Sequence, residues 1–73
     1  MDSFTVQWIN RLEQFGAVEM DMIITHDQGE IDEQRINKRF KTLTPEAIDA
    51  NFLAEVAEDE IERIVKEYEA QNI

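Results

Sequence analysis

The single imidazole, His26, is the first residue to consider for catalytic chemistry, because histidine titrates near neutral pH. Asp27 follows it, and a histidine beside a carboxylate can act as a base or bind a metal. Adjacent residues rarely face one cavity, however, and the chain has no cysteine and no second histidine to complete a triad or a thiolate metal site. The segment 26–29 (HDQG) is typical of a turn, which predicts that His26 is a surface turn residue.

Carboxylates are the most numerous reactive groups. Asp27, Asp32 and Glu33 around Gly29 faintly resemble a calcium loop, but they lack the spacing of an EF-hand. Catalytic carboxylates need burial or crowding to shift their pKa, whereas most of these fall on solvated faces at helical spacing. A 73-residue chain also has little room for a substrate cavity. We therefore predict no enzyme activity, no metal and no cofactor.

An acidic run near the C-terminus is the sharpest pattern in the sequence. On a helix, Glu55, Asp59 and Glu62 lie on or near one face, away from the apolar residues. A row of carboxylates can imitate a phosphate backbone and occupy a basic groove on another protein. The alternative is a solvated face that only keeps a small protein soluble. The partner-binding residues predicted from this pattern are Glu55, Asp59 and Glu62, with Trp8 as an apolar anchor.

The net charge of −10 is unevenly distributed. Residues 1–33 carry −7, residues 34–41 carry +4 and residues 42–73 carry −7. This balance opposes direct binding to nucleic acid or to an anionic membrane, where phosphates favour clustered lysine and arginine. The basic segment lies between two acidic ones, which favours a role in balancing a helix end. The sequence contains neither a membrane-spanning apolar run nor a secretory signal.

The N-terminal residues fit two kinds of element. Residues 2–15 are predicted to form a helix that ends at Gly16, since Trp8, Leu12 and Phe15 share a stripe. The competing interpretation is a strand, because apolar residues also alternate before residue 9. Residues 17–25 alternate as a strand does, but a strand needs a partner. That partner could be residues 3–8, another copy of the chain or a target protein; without one, the segment must be helical.

Two further helices are predicted after the turn. Residues 30–42 begin with acids and end with bases, a polarity that suits the helix dipole. Thr44 and Pro45 are a start signal for a long helix through residue 70. Its apolar spacing changes between Val56 and Ile61, which fits either one curved helix or two helices with a break near 57–60.

These elements predict one small domain over residues 1–73, with residues 71–73 frayed. The predicted fold class is mainly α, and the alternative is α+β with a short N-terminal two-stranded element. The predicted function is that of an acidic protein-binding module, an inhibitor that occupies the basic, nucleic-acid-binding surface of a target. Such a chain could be encoded by a virus or mobile element and act in the cytoplasm, the host cytoplasm if viral. The alternative is an assembly module that self-associates through its C-terminal helix, and a homodimer would stabilise so small a core.

Overall fold

The computed structural model describes residues 3–71, which form a three-stranded antiparallel sheet and one long helix. The strands follow one another across the sheet in chain order. A short 3-10 turn leads into the helix, which packs on one face of the sheet and leaves the other face open. The elements are β1 (Phe4–Gln14), β2 (Ala17–His26), β3 (Gln34–Lys41), the 3-10 turn (Pro45–Ala47) and α1 (Ala50–Gln71).

The core lies between β2 and α1. Along β2, Val18, Met20, Met22 and Ile24 are buried, and the residues between them are more exposed. Ala57 and Ile64 of α1 are buried against this side of the sheet. The strand alternation predicted for residues 17–25 is therefore confirmed. Of the alternative partners, the N-terminal segment is the one observed, because residues 4–8 lie in β1, which pairs with β2.

The prediction that the fold is mainly α is wrong, because residues 2–15 and 30–42 are not helices. Residues 4–14 form β1 and pair with β2, with Trp8 opposite Met22. One extra residue bulges out of β1 between Ile9 and Leu12, where Asn10 has a positive φ of 57°. The bulge shifts the alternation by one residue, so that Ile9 and Leu12 lie on the same side of the strand although they are three residues apart, a spacing typical of a helix. The observed fold is α+β, as in the predicted alternative, but its sheet has three strands instead of two.

Gly16 does not end a helix but closes a tight turn between β1 and β2. Gln14 pairs with Ala17, so Phe15 and Gly16 alone form the loop, with φ values of 50° and 69°. Positive φ at both loop residues matches the turn twist that suits a two-residue hairpin. Phe15 occupies a conformation that bulky residues rarely adopt, and its side chain is 94% exposed.

The segment predicted as a helix over 30–42 contains β3, which begins at Gln34. Its alternation places Ile36 and Phe40 toward α1 and leaves Arg35 and Arg39 on the exposed side. Ile36 and Phe40 are four residues apart, which fits one face of a strand as well as one face of a helix. The acids at residues 30–33 belong to the loop before the strand, so they do not form a helix N-terminus.

The C-terminal helix is confirmed, with a different start. Thr44 and Pro45 open the 3-10 turn, and α1 begins at Ala50 after Asp49, whose Oδ1 accepts a 3.0 Å hydrogen bond from the Phe52 N–H. The helix is continuous to Gln71, without a break at 57–60. Gln71 is therefore helical, and the rest of the predicted frayed end lies outside the described residues. Within residues 3–71, no helix combines the length and apolar character needed to cross a bilayer.

Candidate functional site

The carboxylates of α1 divide into two groups by their partners. From Glu60 to the end of the helix, basic residues pair with most of the acids. The Glu60 carboxylate accepts hydrogen bonds from Lys38 at 2.8 Å and from Arg63 at 2.9 Å. Arg63 also binds Glu67 at 2.9 Å, and Lys66 binds Glu62 at 2.9 Å. These acids are neutralised within the chain.

The acids of α1 that precede Glu60 have no such partners within residues 3–71. Glu55, Glu58 and Asp59 are exposed, and none has an ion pair or a side-chain hydrogen bond within residues 3–71. They are three or four residues apart around Glu55, so their carboxylates share one region of the helix surface. We refer to Glu55, Glu58 and Asp59 as the unpaired acidic cluster.

The structure separates the four residues predicted to bind a partner. Glu55 and Asp59 belong to the unpaired acidic cluster, while Glu62 is exposed but paired with Lys66. Trp8 is partly buried on the sheet and packs near Phe40, with 6.5 Å between ring centroids. Trp8 therefore packs against the core, and its role as an apolar anchor stays a prediction.

Glu58 was missing from the predicted set, although the sequence contains a signal for it. A base four residues after a glutamate can neutralise it on a helix, as Lys66 does for Glu62. Glu55 and Glu58 are followed at that distance by Asp59 and Glu62. The charge at this spacing therefore separates Glu55 and Glu58 from Glu62. It does not identify Asp59, because Arg63 follows Asp59 at that distance but pairs with Glu60 and Glu67 instead.

Glu60 has a structural role, because it connects α1 to β3. Its side chain is 15% exposed, and Lys38 reaches it from the helix-facing side of the strand. The hydrogen bond from Lys38 lowers the pKa of Glu60 below its usual value of 4.5, and the bond from Arg63 acts in the same direction. Partial burial opposes this lowering without reversing it.

This lowered pKa predicts an acid-sensitive contribution to stability. Because the folded-state pKa of Glu60 lies below its unfolded value, the contribution is present above pH 4.5 and is lost as pH falls through the folded pKa. We expect Glu60→Gln to flatten the fall in urea midpoint between about pH 5 and about pH 3. Glu69→Gln, at an exposed position, controls for the loss of one negative charge. An unchanged acid dependence in Glu60→Gln would contradict the pairing with Lys38.

The open face of the sheet carries Arg35, Arg39 and Lys41 of β3 and a central carboxylate. Asp21 accepts hydrogen bonds from Asn37 at 3.0 Å, Asn10 at 3.2 Å and Arg35 at 3.2 Å, which together lower its pKa. The predicted basic segment is therefore split between two faces, with Lys38 under α1 and Arg39 on the open side. It balances no helix end, because residues 34–41 form a strand.

His26 shapes the loop between β2 and β3. Its Nδ1 accepts two 3.3 Å hydrogen bonds, from the backbone N–H groups of Gln28 and Glu30, and its ring meets Phe4 edge-on at 5.0 Å. Among residues 3–71, no three histidine, cysteine, aspartate or glutamate residues gather in a way that could hold a metal ion. His26 thus terminates a strand and orders a turn.

An apolar groove runs between the outer strand β1 and α1. Its volume is about 480 Å³, and Glu58 lies at its margin. The groove is open to solvent, because β1 is the last strand of the sheet on this side. Its lining consists of Phe4, Val6, Trp8, Ala50, Leu53, Ala54, Ala57, Glu58 and Ile61.

No protein-family model, curated protein or solved structure matches this chain. The function must therefore be inferred from the surface of the chain itself. The described residues offer two distinctive surfaces: the unpaired acidic cluster on α1 and the uncovered groove beside β1.

Proposed function

We propose that this protein is a small binding module that docks the unpaired acidic cluster on a basic surface of a partner protein. The observation that supports the proposal is the uneven pairing along α1. Lysine and arginine neutralise Glu60, Glu62 and Glu67, whereas the cluster retains three exposed negative charges without a partner within residues 3–71.

Solubility alone would not require this arrangement. A chain with a net charge of −10 stays soluble without concentrating unpaired acids on one helical turn. Neighbouring carboxylates at this spacing repel one another by a few tenths of a kcal/mol per pair, so the cluster slightly destabilises the free helix. A basic partner would remove that repulsion on binding.

The partner surface is expected to be one that otherwise binds nucleic acid, because such surfaces present clustered lysine and arginine. Bound there, the acidic helix would exclude nucleic acid by occupying the same groove. The strong overall negative charge would also steer the encounter and accelerate association. The protein would then act as an inhibitor, with no catalytic step of its own, in the compartment that contains its target.

The alternative of self-association through α1 is less well supported by the packing. Ile64 is 4% exposed and lies with Met22 and Ile24 in the core, so the apolar stripe of the helix is already occupied. Two helices could meet through Ile64 only if each left its own sheet.

Salt dependence tests the proposed function. The tagged full-length chain should capture its partner from a lysate of the native host at low salt, and added salt should reduce the yield steeply. Nuclease treatment of the lysate should leave capture intact, because the proposed contact is with protein. Capture that is insensitive to salt, or that disappears after nuclease treatment, would contradict an electrostatic contact between proteins.

A further inference from the structure

The two outer edges of the sheet differ sharply in charge. The edge strand β3 places Arg35, Arg39 and Lys41 on its exposed side, and charged residues of this kind discourage pairing with other strands. Residues 4–9 of the other edge strand, FTVQWI, contain no charged residue and no proline. An uncharged edge of alternating apolar and polar residues is a template for pairing with a further strand.

The register identifies which backbone groups point toward this open edge. The carbonyl oxygen of Ser3 accepts a 2.7 Å hydrogen bond from the Asp27 N–H, so these two residues form a hydrogen-bonded pair. Such pairs recur at every second residue of an antiparallel ladder, so the odd-numbered residues up to Ile9 turn their backbone groups toward β2. The residues whose backbone N–H and C=O groups face the open edge are therefore Phe4, Val6 and Trp8.

The side chains of these same three residues line the apolar groove beside α1. A strand added at the β1 edge would thus satisfy the outward backbone groups of Phe4, Val6 and Trp8. It would also place its own apolar side chains at the mouth of the groove, beside Leu53 and Ile61. Backbone pairing and apolar burial would occur at one surface.

We propose that this edge is occupied by β1 of a second copy of the chain, running antiparallel about a two-fold axis at Val6. In this register Val6 faces the partner subunit's Val6, and Phe4 faces the partner subunit's Trp8. All three residues turn their backbone groups outward, so the pairing forms about six hydrogen bonds. Each Phe4 gains an aromatic partner across the strands, and the two sheets become one sheet of six strands.

Self-pairing is favoured over an unrelated strand by the charge pattern. Across a two-fold axis a strand meets its own sequence, so any charge near the axis approaches a like charge. Residues 4–9 avoid this repulsion although the chain has seventeen acids. The bulge between Ile9 and Leu12 ends the regular edge, so the register centred on Val6 uses five of the six residues of the uncharged segment.

The dimer should be reversible, and salt should strengthen it. Five paired residues extend over about 17 Å. A contact of this length buries less surface area than a standard protein–protein interface. Each copy carries a charge of −10, so the two repel until salt screens them. This dependence is opposite in sign to that expected for partner binding, and either proposal can therefore fail without the other.

Sedimentation velocity on the full chain over a range of concentrations, with and without added salt, tests the pairing. In the double variant Thr5→Lys, Gln7→Lys, the lysine at 5 would face the partner's lysine at 7. We expect dimer affinity to fall about tenfold or more, although the negative charge per chain is smaller. The matched control is Thr5→Lys, Gln14→Lys, which makes the same change in total charge but places only one lysine in the paired segment, opposite an uncharged Gln7 of the partner subunit, and should retain the dimer.

Amide hydrogen exchange on the wild-type chain gives a second measurement that does not depend on a variant folding. The Val6 and Trp8 amides should exchange more slowly as protein concentration rises, while the Lys41 amide on the other edge should not change. A wild-type chain that remains monomeric at millimolar concentration in salt would overturn the proposal. Equal dimer affinity in the two double variants would also overturn it.

Discussion

Reversing the charge of the unpaired acidic cluster should abolish partner binding. In the triple variant Glu55→Lys, Glu58→Lys, Asp59→Lys, three attractive contacts become repulsive. Loss of about 1 kcal/mol for each contact lowers the affinity by about a hundredfold, and the new repulsion lowers it further. Affinity measured by titration calorimetry against the captured partner checks this result.

The control must change the total charge equally without touching the cluster. Glu30→Lys, Asp32→Lys, Glu46→Lys also adds six charges, at exposed positions outside α1 that have no ion pair in the structure of residues 3–71. This variant should lose some association rate, because long-range steering weakens, but most of the affinity should remain. Equal losses in the two triple variants would show that total charge, and not the cluster, governs binding. Circular dichroism would verify that both variants retain the fold.

The sequence predicted β2 and α1, which enclose the core, more accurately than the two edge strands, β1 and β3. Residues 17–25 alternate cleanly because β2 is the central strand, with one face buried against α1 and the other open. The long C-terminal helix was predicted because residues 50–70 contain no glycine or proline and keep an apolar stripe. Both patterns reflect burial on a single side, which is the condition under which periodicity is informative.

The two failed helices have different physical causes. In β1, the bulge at Asn10 places Leu12, which pairs with Glu19, on the open side of the sheet, whereas Trp8 faces α1 and Phe15 lies in the turn. Their helical spacing in the sequence therefore does not reflect a shared face. In residues 30–42, the change from acids to bases reflects a loop followed by a basic edge strand, not a helix dipole. Neither pattern can be resolved without the neighbouring strand, because pairing with β2 fixes both conformations.

The position of the acids on one helix could be inferred from their spacing in the sequence, whereas their role in binding a partner stays a prediction. Glu55 and Asp59 lie where the pattern placed them, but the partners of each acid depend on three dimensions. Lys38 is 22 residues before Glu60 and reaches it only because β3 lies under the helix. The groove beside β1 was not predicted, since a helix over residues 2–15 was preferred to the strand in which Phe4, Val6 and Trp8 alternate.

Truncation of Met22 to alanine should unfold most of the protein. Met22 is fully buried in the centre of the middle strand and packs with Ile24, Ala57 and Ile64. Removing a buried methionine side chain costs about 2–5 kcal/mol. A core of this size supplies only about 3–5 kcal/mol in total, so little stability would remain. Thermal melting followed by circular dichroism should show a strongly lowered or absent transition.

Two controls connect this loss to the strand alternation. Met22→Leu conserves volume and should cost less than about 1.5 kcal/mol, so the fold should persist. Ile23→Ala removes a similar apolar mass from the adjacent residue, whose side chain faces the open side of the sheet and is only partly buried. Its effect should be clearly smaller than that of Met22→Ala, because little cavity forms on an open face. If Ile23→Ala destabilised as much as Met22→Ala, the open face would have to be covered, either by a partner or by a second copy.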